Sequence, residues 1–438
     1  MKLVTSSLIL LVLTAASQAN SFSLETTAKT ASPQASLWKD LEMGPADAIL
    51  GIAQSFRASK DPRKVNICVG AYRDTAGQPW VLPSVRSAEH KLLEANDNKE
   101  YLPIDGDADF VDKALKFAYG ADMDTDCVAG VQTLSGTGAC RIGGQFLSTF
   151  LAGRSIYIPV PTWGNHWKIF AECGLDCQPY SYYDRGTNGL DFDGILKDVK
   201  AAPDGSIILL HACAHNPTGC DPSMEQWQQI ADVLEEKNHI AFFDSAYQGF
   251  ASGDAEKDAA AFRYVVGRGL PVLLAQSFAK NFGLYGERCG TLSVLCGGAD
   301  QKEKILSQLK CVIRPMYSSP PRHGSSIVKT VLSDETLTAQ YYTECETMAA
   351  RIQDMRTKLV TKLQEVGSTH DWSHVTGQIG MFAFTGMSKE MCNQLTEEFA
   401  IYLTLDGRIS LAGINDSNLD YVATAVHTVT DGKSITSA

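Results

Sequence analysis

Between residues 102 and 300, short apolar runs alternate with longer stretches whose apolar residues recur at helical spacing, such as PSMEQWQQIADVLEEK at 222–237. Several of the apolar runs are almost continuous, which is typical of strands buried on both faces of a sheet. This alternation predicts an α/β fold in which helices cover both faces of a mostly parallel sheet. The strand candidates are residues 155–160, 206–214, 239–244, 271–277 and 291–296.

The pattern changes after residue 334. Residues 335–366 carry apolar positions at helical spacing without Gly or Pro, which predicts one helix long enough to connect two domains. The segment that follows predicts a smaller α+β domain. Its expected elements are a short strand around 381–386, a helix around 391–403, a strand pair around 403–413 and a final helix at 418–429.

The first residues differ from the rest of the chain. Lys2 precedes an apolar run, and Ser17 and Ala19 have the spacing that a signal peptidase prefers. The run is short and lacks a stop-transfer flank, so it predicts a cleaved targeting segment and not a membrane anchor. Residues 20–36 are rich in Ser, Thr and Ala, which is typical of a transit extension.

Composition limits the partners and the compartment. A formal net charge of -12 argues against nucleic acid or an anionic membrane surface as a partner. Twelve cysteines at scattered positions predict buried free thiols, whereas a secretory signal favours disulfides. Two locations therefore stay open: a complex plastid reached through the secretory pathway, and a secreted or ER-lumenal protein with a few disulfides.

A lysine and an aspartate carry the candidate chemistry. Lys280 lies in QSFAKNFGLYGER, ahead of Arg288, and Asp244 ends the apolar run of AFFDSAYQGF. Pyridoxal phosphate (PLP) needs a lysine that binds its aldehyde and an acidic group that keeps its ring nitrogen protonated. Asp244, Lys280 and Asn216 all fall at or just past predicted strand ends, where parallel sheets bind ligands. The sequence therefore predicts a PLP enzyme.

Two further segments fit such a site. LSGTGACRIGGQFL at 134–147 predicts a glycine-rich turn that opens a helix, whose N-terminus can bind a phosphate; a plain turn is the alternative. Trp163, in VPTWGNH, follows a predicted strand and can stack on a pyridine ring or belong to the core. His166 is either an interior histidine or a hydrogen-bond partner of Asp244.

The segment HACAHNPTG at 211–219 also permits a metal site, formed by His211, Cys213, His215 and Cys220. A strand would place the first three of these on one face with little room to converge, so we favour a role for Asn216 at a ring hydroxyl.

Arg314 and Arg408 lie in or beside apolar stretches, where an unpaired guanidinium is costly. Each predicts a carboxylate-binding site or an internal salt bridge.

Together these motifs closely resemble the aspartate aminotransferases of PLP fold type I, in the eukaryotic cytosolic and mitochondrial subgroup. The resemblance covers residues 36–438 and includes EMGPADAILG, NICVGAYRD, EYLPIDGDADF, PTWGNH, HACAHNPTG, SFAKNFGLYGER, VIRPMYSSPP and GRISLAG. It implies a large domain, with a mostly parallel seven-stranded sheet between helices, and a smaller α+β domain. The expected divisions are a targeting segment at 1–30, an N-terminal arm and part of the small domain at 31–79, the large domain with the start of the interdomain helix at 80–347, and the small domain at 348–438.

The resemblance also implies a role for each matching residue. Lys280 resembles the lysine that binds PLP and moves the substrate proton, and Asp244 resembles the partner of the ring nitrogen, backed by His166 and His211. The implied catalytic residues are Lys280, Asp244, Tyr247 and Trp163. The implied cofactor-binding residues are Ser135, Gly136, Thr137, Trp163, Asn216, Asp244, Tyr247, Ser277, Lys280 and Arg288, with Tyr101 reaching the phosphate of the neighbouring subunit. The implied substrate-binding residues are Gly70, Trp163, Asn216 and Arg408 at the α-carboxylate, and Arg314 with Ser318 at the side-chain carboxylate across a dimer interface.

The implied activity is reversible amino transfer between L-aspartate and 2-oxoglutarate, giving oxaloacetate and L-glutamate by a ping-pong mechanism in a homodimer. One departure is Ser319, where the family often carries asparagine, beside the distal carboxylate clamp. Two alternatives stay open: an aromatic aminotransferase on the same scaffold, and a binding protein that uses the scaffold without turnover.

Overall fold

The computed structural model describes residues 38–44, 50–68 and 70–435. Contacts divide the chain into one unit up to Ala46 and a second from Asp47 onwards. In the first unit, Trp38–Asp40 form a turn in which the Leu41 amide donates to the Trp38 carbonyl at 3.0 Å. The predicted targeting segment at 1–30 lies outside the described residues. Within them, no helix has the length and apolarity to cross a bilayer.

The second unit is built on a seven-stranded sheet, as the predicted fold class requires. In the described residues the strands are β1 Val65–Asn66, β2 Val128–Leu134, β3 Ser155–Val160, β4 Asp176–Ser181, β5 Tyr183–Asp184, β6 Gly189–Leu190, β7 Ile207–His211, β8 Ile240–Ser245, β9 Val272–Ser277, β10 Cys289–Leu295, β11 Phe382–Phe384, β12 Ile401–Tyr402 and β13 Arg408–Ser410. The large sheet has the order β2-β10-β9-β8-β7-β3-β4, and only β10 runs antiparallel to its neighbours.

All five strand candidates are confirmed, with ends shifted by a few residues. The largest shift is in β7, which ends at His211, so Ala212–Ala214 lie beyond the strand. The two strands outside the candidate runs, β2 and β4, form the two edges of the sheet. Their sequences, VAGVQTL and DCQPYS, interrupt the apolar pattern with Gly, Gln and Pro, which edge strands tolerate better than central ones.

Helices cover both faces of the sheet. The described helices are α1 Leu50–Ala58, α2 Pro83–Ala95, α3 Ala108–Tyr119, α4 Ser135–Phe150, α5 Asn165–Glu172, α6 Phe192–Ala201, α7 Met224–Glu236, α8 Ala255–Gly267, α9 Ala299–Tyr317, α10 His323–Ser333, α11 Glu335–Glu365, α12 Ser373–Gly377, α13 Lys389–Phe399 and α14 Leu419–Thr430. Alternate residues of each strand face opposite cores: Ile207 and Leu209 pack with α4, α5 and α9, whereas Ile208 and Leu210 pack with α3, α7 and α8.

Three two-stranded sheets complete the described part of the second unit, and one of them is the antiparallel pair of β5 and β6. Strand β1 pairs in parallel with β12, and β11 pairs antiparallel with β13. The predicted strand pair at 403–413 is therefore wrong: only β13 is a strand there, because residues 403–407 form the turn that leads into it. The short strand at 381–386 and the final helix are confirmed as β11 and α14.

Helix α11 connects the large sheet to the small ones. Asp334 caps its N-terminus by accepting from the Leu337 amide at 3.0 Å. Near that end, Tyr341 stacks on Phe282 at 4.1 Å between ring centroids. Two turns before its C-terminus, the fully buried Arg356 donates to the carbonyls of residues 375, 380 and 382. One helix thus fixes both regions, as its pattern predicts, while the proposed domain division stays a prediction.

The cysteines from Cys127 to Cys392 are free thiols, and six of them are buried. Burial raises the pKa of the Cys140 and Cys289 thiols well above the ordinary value. These residues behave as small apolar side chains of the core, as their scattered spacing predicts.

Candidate active site

A cavity lies at the carboxyl ends of the parallel strands of the large sheet. Each central strand delivers a residue to it: Trp163 follows β3, Asn216 follows β7, Asp244 is in β8, and Lys280 follows β9. Chain segments that leave parallel strands at the same edge converge there, which is why residues 163 to 280 meet. The residues that line the cavity are Ser135, Gly136, Thr137, Trp163, His211, Cys213, Asn216, Asp244, Ala246, Tyr247, Ser277, Lys280 and Arg288.

Asp244 is held as a carboxylate at the base of the cavity. Its Oδ2 lies 2.9 Å from His166 Nε2. Burial alone would raise the pKa of Asp244, but the hydrogen bond from His166 and the nearby His211 and Lys280 keep this pKa below its ordinary value. Asp244 is therefore ionised at neutral pH and can face a protonated ring nitrogen.

A hydrogen-bond chain fixes the tautomer of His166. The Asn216 backbone amide donates to His211 Nδ1 at 3.2 Å, so this nitrogen is an acceptor. Burial lowers the pKa of His211 to about 3, so its ring is neutral and Nε2–H donates to Thr162 Oγ1, 3.2 Å away. The Thr162 hydroxyl then donates to His166 Nδ1 at 2.9 Å, which leaves the His166 proton on Nε2, facing Asp244.

Lys280 shares the cavity with Asp244, and its Nζ lies 6.0 Å from the centroid of the Tyr247 ring. Burial lowers the pKa of Lys280, an effect that Asp244 opposes and that the positive charges of Arg288 and Arg408 reinforce. A larger share of the amine is consequently unprotonated, which is the form that attacks an aldehyde.

An anion-binding corner lies at the start of helix α4. Ser135 is the first residue of this 16-residue helix, and its Oγ lies 2.9 Å from Ser277 Oγ. The backbone amides of the first turn have no partner within the helix and carry its positive dipole end, and Arg288 lines the same corner. Ser135 and Arg288 both adopt left-handed backbone angles, with φ of +59° and +50°. Non-glycine residues adopt these angles uncommonly, and such residues cluster at ligand-binding sites.

Arg408 reaches this site from the small sheet. It is 4% exposed, its guanidinium lies 4.1 Å above the Phe382 ring, and it donates to Asn216 Oδ1 at 3.2 Å and to the Cys68 carbonyl at 3.1 Å. Across the described ranges, no acidic side chain forms an ion pair with it. Gly70 lies against the same ring, since a Cβ there would be 2.7 Å from Phe382 Cζ.

Three predicted site residues lie exposed at the surface, away from the cavity: Tyr101, Arg314 and Ser318. Arg314 is exposed and donates to Ser318 Oγ at 2.6 Å, and Tyr101 is 92% exposed. One chain therefore does not bring them to Lys280, and their action on a neighbouring subunit stays a prediction. Among residues 38–44, 50–68 and 70–435, neither Arg314 nor Arg408 has the acidic partner of the internal salt bridge considered as the alternative.

The metal alternative is not supported by the described residues. The ligand atoms that lie close enough to share an ion belong to Cys140, His166 and Asp244, which lie within 4.8 Å of one another. His211, Cys213, His215 and Cys220 do not form such a group in the described chain: the His215 ring instead stacks on Tyr182 at 3.8 Å and packs 4.2 Å from His211.

Sequence reasoning missed two residues that shape the site. Thr162 joins the two histidines but looks like an ordinary turn residue after a proline. Gly290, in β10, passes beneath Ser135, because a Cβ there would lie 2.8 Å from Ser135 Cα and 2.4 Å from the Gln276 carbonyl. Thr162 reaches His211, 49 residues further along the chain, and Gly290 meets Ser135 on a different element, so no local pattern signals these contacts.

The residues present fit a phosphorylated aldehyde such as PLP. The ionised Asp244 suits a pyridine nitrogen, the corner at Ser135 and Arg288 suits a phosphate, and the Lys280 amine suits the aldehyde. Asn216 and Tyr247 line the remaining polar wall, and Trp163 offers a ring face.

Comparisons with known proteins agree with this chemistry. A sequence model of the family described as Aminotransferase class I and II matches residues 62–426. The mitochondrial aspartate aminotransferase of Dictyostelium discoideum is 50% identical over 396 residues, which are 90% of this chain and 93% of that protein. The structure of a mitochondrial aspartate aminotransferase from Trypanosoma brucei matches with a TM-score of 0.84 and 45% identity, over 87% of this chain and 100% of that one. An aromatic-amino-acid aminotransferase from Burkholderia pseudomallei, covalently bound to pyridoxal phosphate, matches with a TM-score of 0.87 and 41% identity, over 90% of this chain and 100% of that one.

Proposed function

This chain belongs to the class I and II aminotransferases, and from that premise we propose that it is a PLP-dependent aspartate aminotransferase. It transfers the amino group reversibly between L-aspartate and 2-oxoglutarate, giving oxaloacetate and L-glutamate. The observation that carries this proposal is Arg408, a buried guanidinium without an acidic partner among the described residues, bonded to Asn216 at the wall of the cavity that holds Lys280 and Asp244. A carboxylate bound there would place its α-amino group beside the Lys280 amine.

The chain's own residues divide the work as follows. When bound, PLP supplies an electron-accepting ring that stabilises negative charge at the substrate Cα. Asp244 keeps the ring nitrogen protonated, and His166 holds this carboxylate in place. Ser135, Gly136, Thr137, Ser277 and Arg288 bind the phosphate. Asn216 and Tyr247 bind the ring hydroxyl, and Trp163 stacks on the ring. The Lys280 amine would remove the proton from the substrate Cα as a general base and then, as a general acid, pass it on to the cofactor and not back to Cα.

We further propose a homodimer in which each active site uses residues of both chains. Arg314, Ser318 and Tyr101 lie on the surface of one chain, away from its own cavity. The two carboxylates of aspartate or glutamate then bind Arg408 of one subunit and Arg314 of the partner subunit, each in a bidentate pair. A dicarboxylate substrate matches two arginines, which is why aspartate is favoured over neutral amino acids.

An aromatic aminotransferase is the second candidate. One ground for it is the 41% identity to the Burkholderia pseudomallei enzyme. The other is that, among the described residues, one Ser318 hydroxyl holds Arg314 at the surface, so the Arg314 side chain can swing away from this position. Measuring kcat/KM for aspartate and phenylalanine side by side decides between the two, since a strict aspartate enzyme prefers aspartate by orders of magnitude.

The test of the main proposal uses residues 31–438 purified with PLP. Oxaloacetate formed from L-aspartate and 2-oxoglutarate is followed through coupled malate dehydrogenase, and Lys280→Ala is assayed in parallel. We expect activity that disappears in the variant. A wild-type protein that binds PLP but transfers no amino group from any of the twenty amino acids would support the binding-protein alternative instead.

The compartment of the protein depends on the predicted targeting segment at 1–30, which lies outside the described residues. The curated relatives are named as mitochondrial proteins, whereas the Lys2-led apolar run predicts entry into the secretory pathway and, from there, a complex plastid or the lumen. N-terminal sequencing of the mature protein, combined with cell fractionation, decides among these compartments. A mature protein that still begins at Met1 would contradict a cleaved leader.

A further inference from the structure

We propose that Gln132 is a positioning residue that holds together the two segments that each subunit contributes to the active site of its partner. The first segment, residues 101–107, carries Tyr101, and the second, residues 314–321, carries Arg314 and Ser318. This inference rests on the proposed dimeric aminotransferase, and it assigns a role to a residue that lines neither the cavity nor the protein surface.

All four polar groups of Gln132 are directed at these two segments. Its backbone amide donates to the Asp105 carbonyl at 2.8 Å, and its side-chain Oε1 accepts from the Asp107 amide at 3.1 Å. Its side-chain Nε2 donates to the Pro321 carbonyl at 2.7 Å, and its backbone carbonyl accepts from the Tyr317 hydroxyl at 3.3 Å. One residue thus makes two hydrogen bonds to each segment.

The position of Gln132 in the sheet explains how it can do this. It lies on β2, an edge strand, so its backbone groups on the outer side have no neighbouring strand and are available to other segments. The first segment approaches so closely that a Cβ on Gly106 would be 2.2 Å from Gln132 Cβ. Gly106 has a φ of +96°, which favours glycine, so the backbone is shaped for this approach.

Contacts between residues in or beside the two segments are weaker. Lys310 pairs with Asp105 at 3.2 Å, and Arg322 donates to the Asn98 carbonyl at 3.0 Å, but these side chains are partly exposed. Exposed ion pairs contribute little, whereas the Gln132 side chain is completely buried, so each bond it loses leaves a buried group without a partner. The relative placement of Tyr101 and Arg314 therefore depends mainly on Gln132.

The experiment introduces a substitution of Gln132 into one subunit of a hybrid dimer at a time. The donor chain carries Lys280→Ala, so its own site cannot react, but its Arg314 is intact. The acceptor chain carries Arg314→Leu and an intact Lys280. Co-expressed with different tags and purified as a hybrid, the two chains form one complete site, made of Lys280 of the acceptor and Arg314 of the donor.

We then add Gln132→Met, which keeps the length of the side chain and removes its two side-chain hydrogen bonds, one to each segment. In the donor chain it should raise the KM for aspartate and lower kcat/KM by about ten- to a hundredfold, the loss typical of substrate groups displaced by about 1 Å. In the acceptor chain it should leave kcat/KM unchanged, because there the displaced segments face the site that lacks Lys280. Equal losses in both positions would overturn the proposal, because they would mean that Gln132 acts on the phosphate corner of its own chain.

Gln276→Met is the matched control. Gln276 is equally buried, lies on the same sheet, and aligns with Gln132 across Thr291, but its side chain bonds only to Thr291. Gln276→Met should lower the thermal stability of the hybrid by the same amount whether the donor or the acceptor chain carries it. If the Gln132 variant does not fold, Gly106→Ala in the donor tests the same idea, since it displaces the first segment with the amide in place.

The unmodified hybrid separates this inference from the proposed function. Suppose that the wild type transaminates aspartate but the hybrid is no more active than the Arg314→Leu homodimer. Arg314 would then not be donated across the interface, and the proposed role of Gln132 would fall with it. The aminotransferase activity itself would stand.

Discussion

Replacing Arg408 with leucine should impair every substrate to the same degree. In the structure the Arg408 guanidinium is buried over Phe382 and has only neutral partners, Asn216 and the Cys68 carbonyl. The substrate α-carboxylate is proposed to be its anionic partner. All amino acids and oxo acids carry this group, so the loss should not depend on the side chain of the substrate.

The magnitude follows from leaving a carboxylate unpaired in a buried site. Truncating one member of a buried, hydrogen-bonded charge pair costs about 2–5 kcal/mol. At about 1.4 kcal/mol per factor of ten, kcat/KM should fall by roughly thirtyfold to a few thousandfold. PLP should still bind, since Arg408 does not line the cavity that contains Lys280 and Asp244.

The assay compares kcat/KM for aspartate and alanine in Arg408→Leu and Arg314→Leu. For Arg408→Leu the two substrates should lose similar factors. For Arg314→Leu, aspartate should lose a similar amount while alanine is spared, because only the side-chain carboxylate has lost its partner. An Arg408→Leu enzyme that kept its alanine activity would refute the assignment of Arg408 to the α-carboxylate. Absorbance of bound PLP and a thermal melt exclude misfolding as the cause.

Three other predictions concern the residues around the cofactor. Thr162→Val removes one hydrogen bond from each of two buried imidazoles and leaves one nitrogen of each ring unpaired, so the free energy of unfolding should fall by about 2–6 kcal/mol in urea, whereas Thr162→Ser should be nearly neutral. Gly290→Ala should weaken binding of PLP more than of phosphate-free pyridoxal, since its Cβ displaces Ser135; the control Gly286→Ala has open space and should bind both normally. The rate at which the apo-enzyme captures PLP should rise with pH as Lys280 loses its proton, with a midpoint below the ordinary pKa of 10.5, and a midpoint at or above 10.5 would contradict a buried amine.

The central strands and the residues at their ends were predictable because two simple rules apply to them. A strand buried on both faces is apolar over most of its length, as β7 is up to Leu210 and β9 up to Ala275, and a polar residue at or just beyond the end of such a strand faces the ligand edge of the sheet. Asp244 and Lys280 follow from these rules. The edge strand β2 does not, because its buried Gln132 and Thr133 are stabilised by partners that the local sequence does not reveal.

The parts that sequence could not supply are contacts between distant segments. The strand pair expected at 403–413 failed because Arg408–Ser410 pairs with Phe382–Phe384 and Ile401–Tyr402 pairs with Val65–Asn66. Both pairings join residues that are distant along the chain, so the local turn at residues 405–407 does not determine them. The free guanidinium of Arg408 was similarly open to two interpretations, and only the structure excludes an internal salt bridge among the described residues.

The position of Asn216 explains why the two sheets must be held in one arrangement. Arg408 belongs to the small β11–β13 sheet, whereas Lys280 and Asp244 belong to the large sheet, so the carboxylate site and the amine site are built on different elements. The Arg408–Asn216 hydrogen bond crosses directly between them, and Asn216 is in turn fixed by its backbone bond to His211. His211 also begins the series of hydrogen bonds that orients His166 against Asp244. The group that binds the substrate and the group that tunes the cofactor are therefore positioned by one continuous set of buried hydrogen bonds, which is how a geometry assembled from two sheets can meet the sub-ångström demands of catalysis.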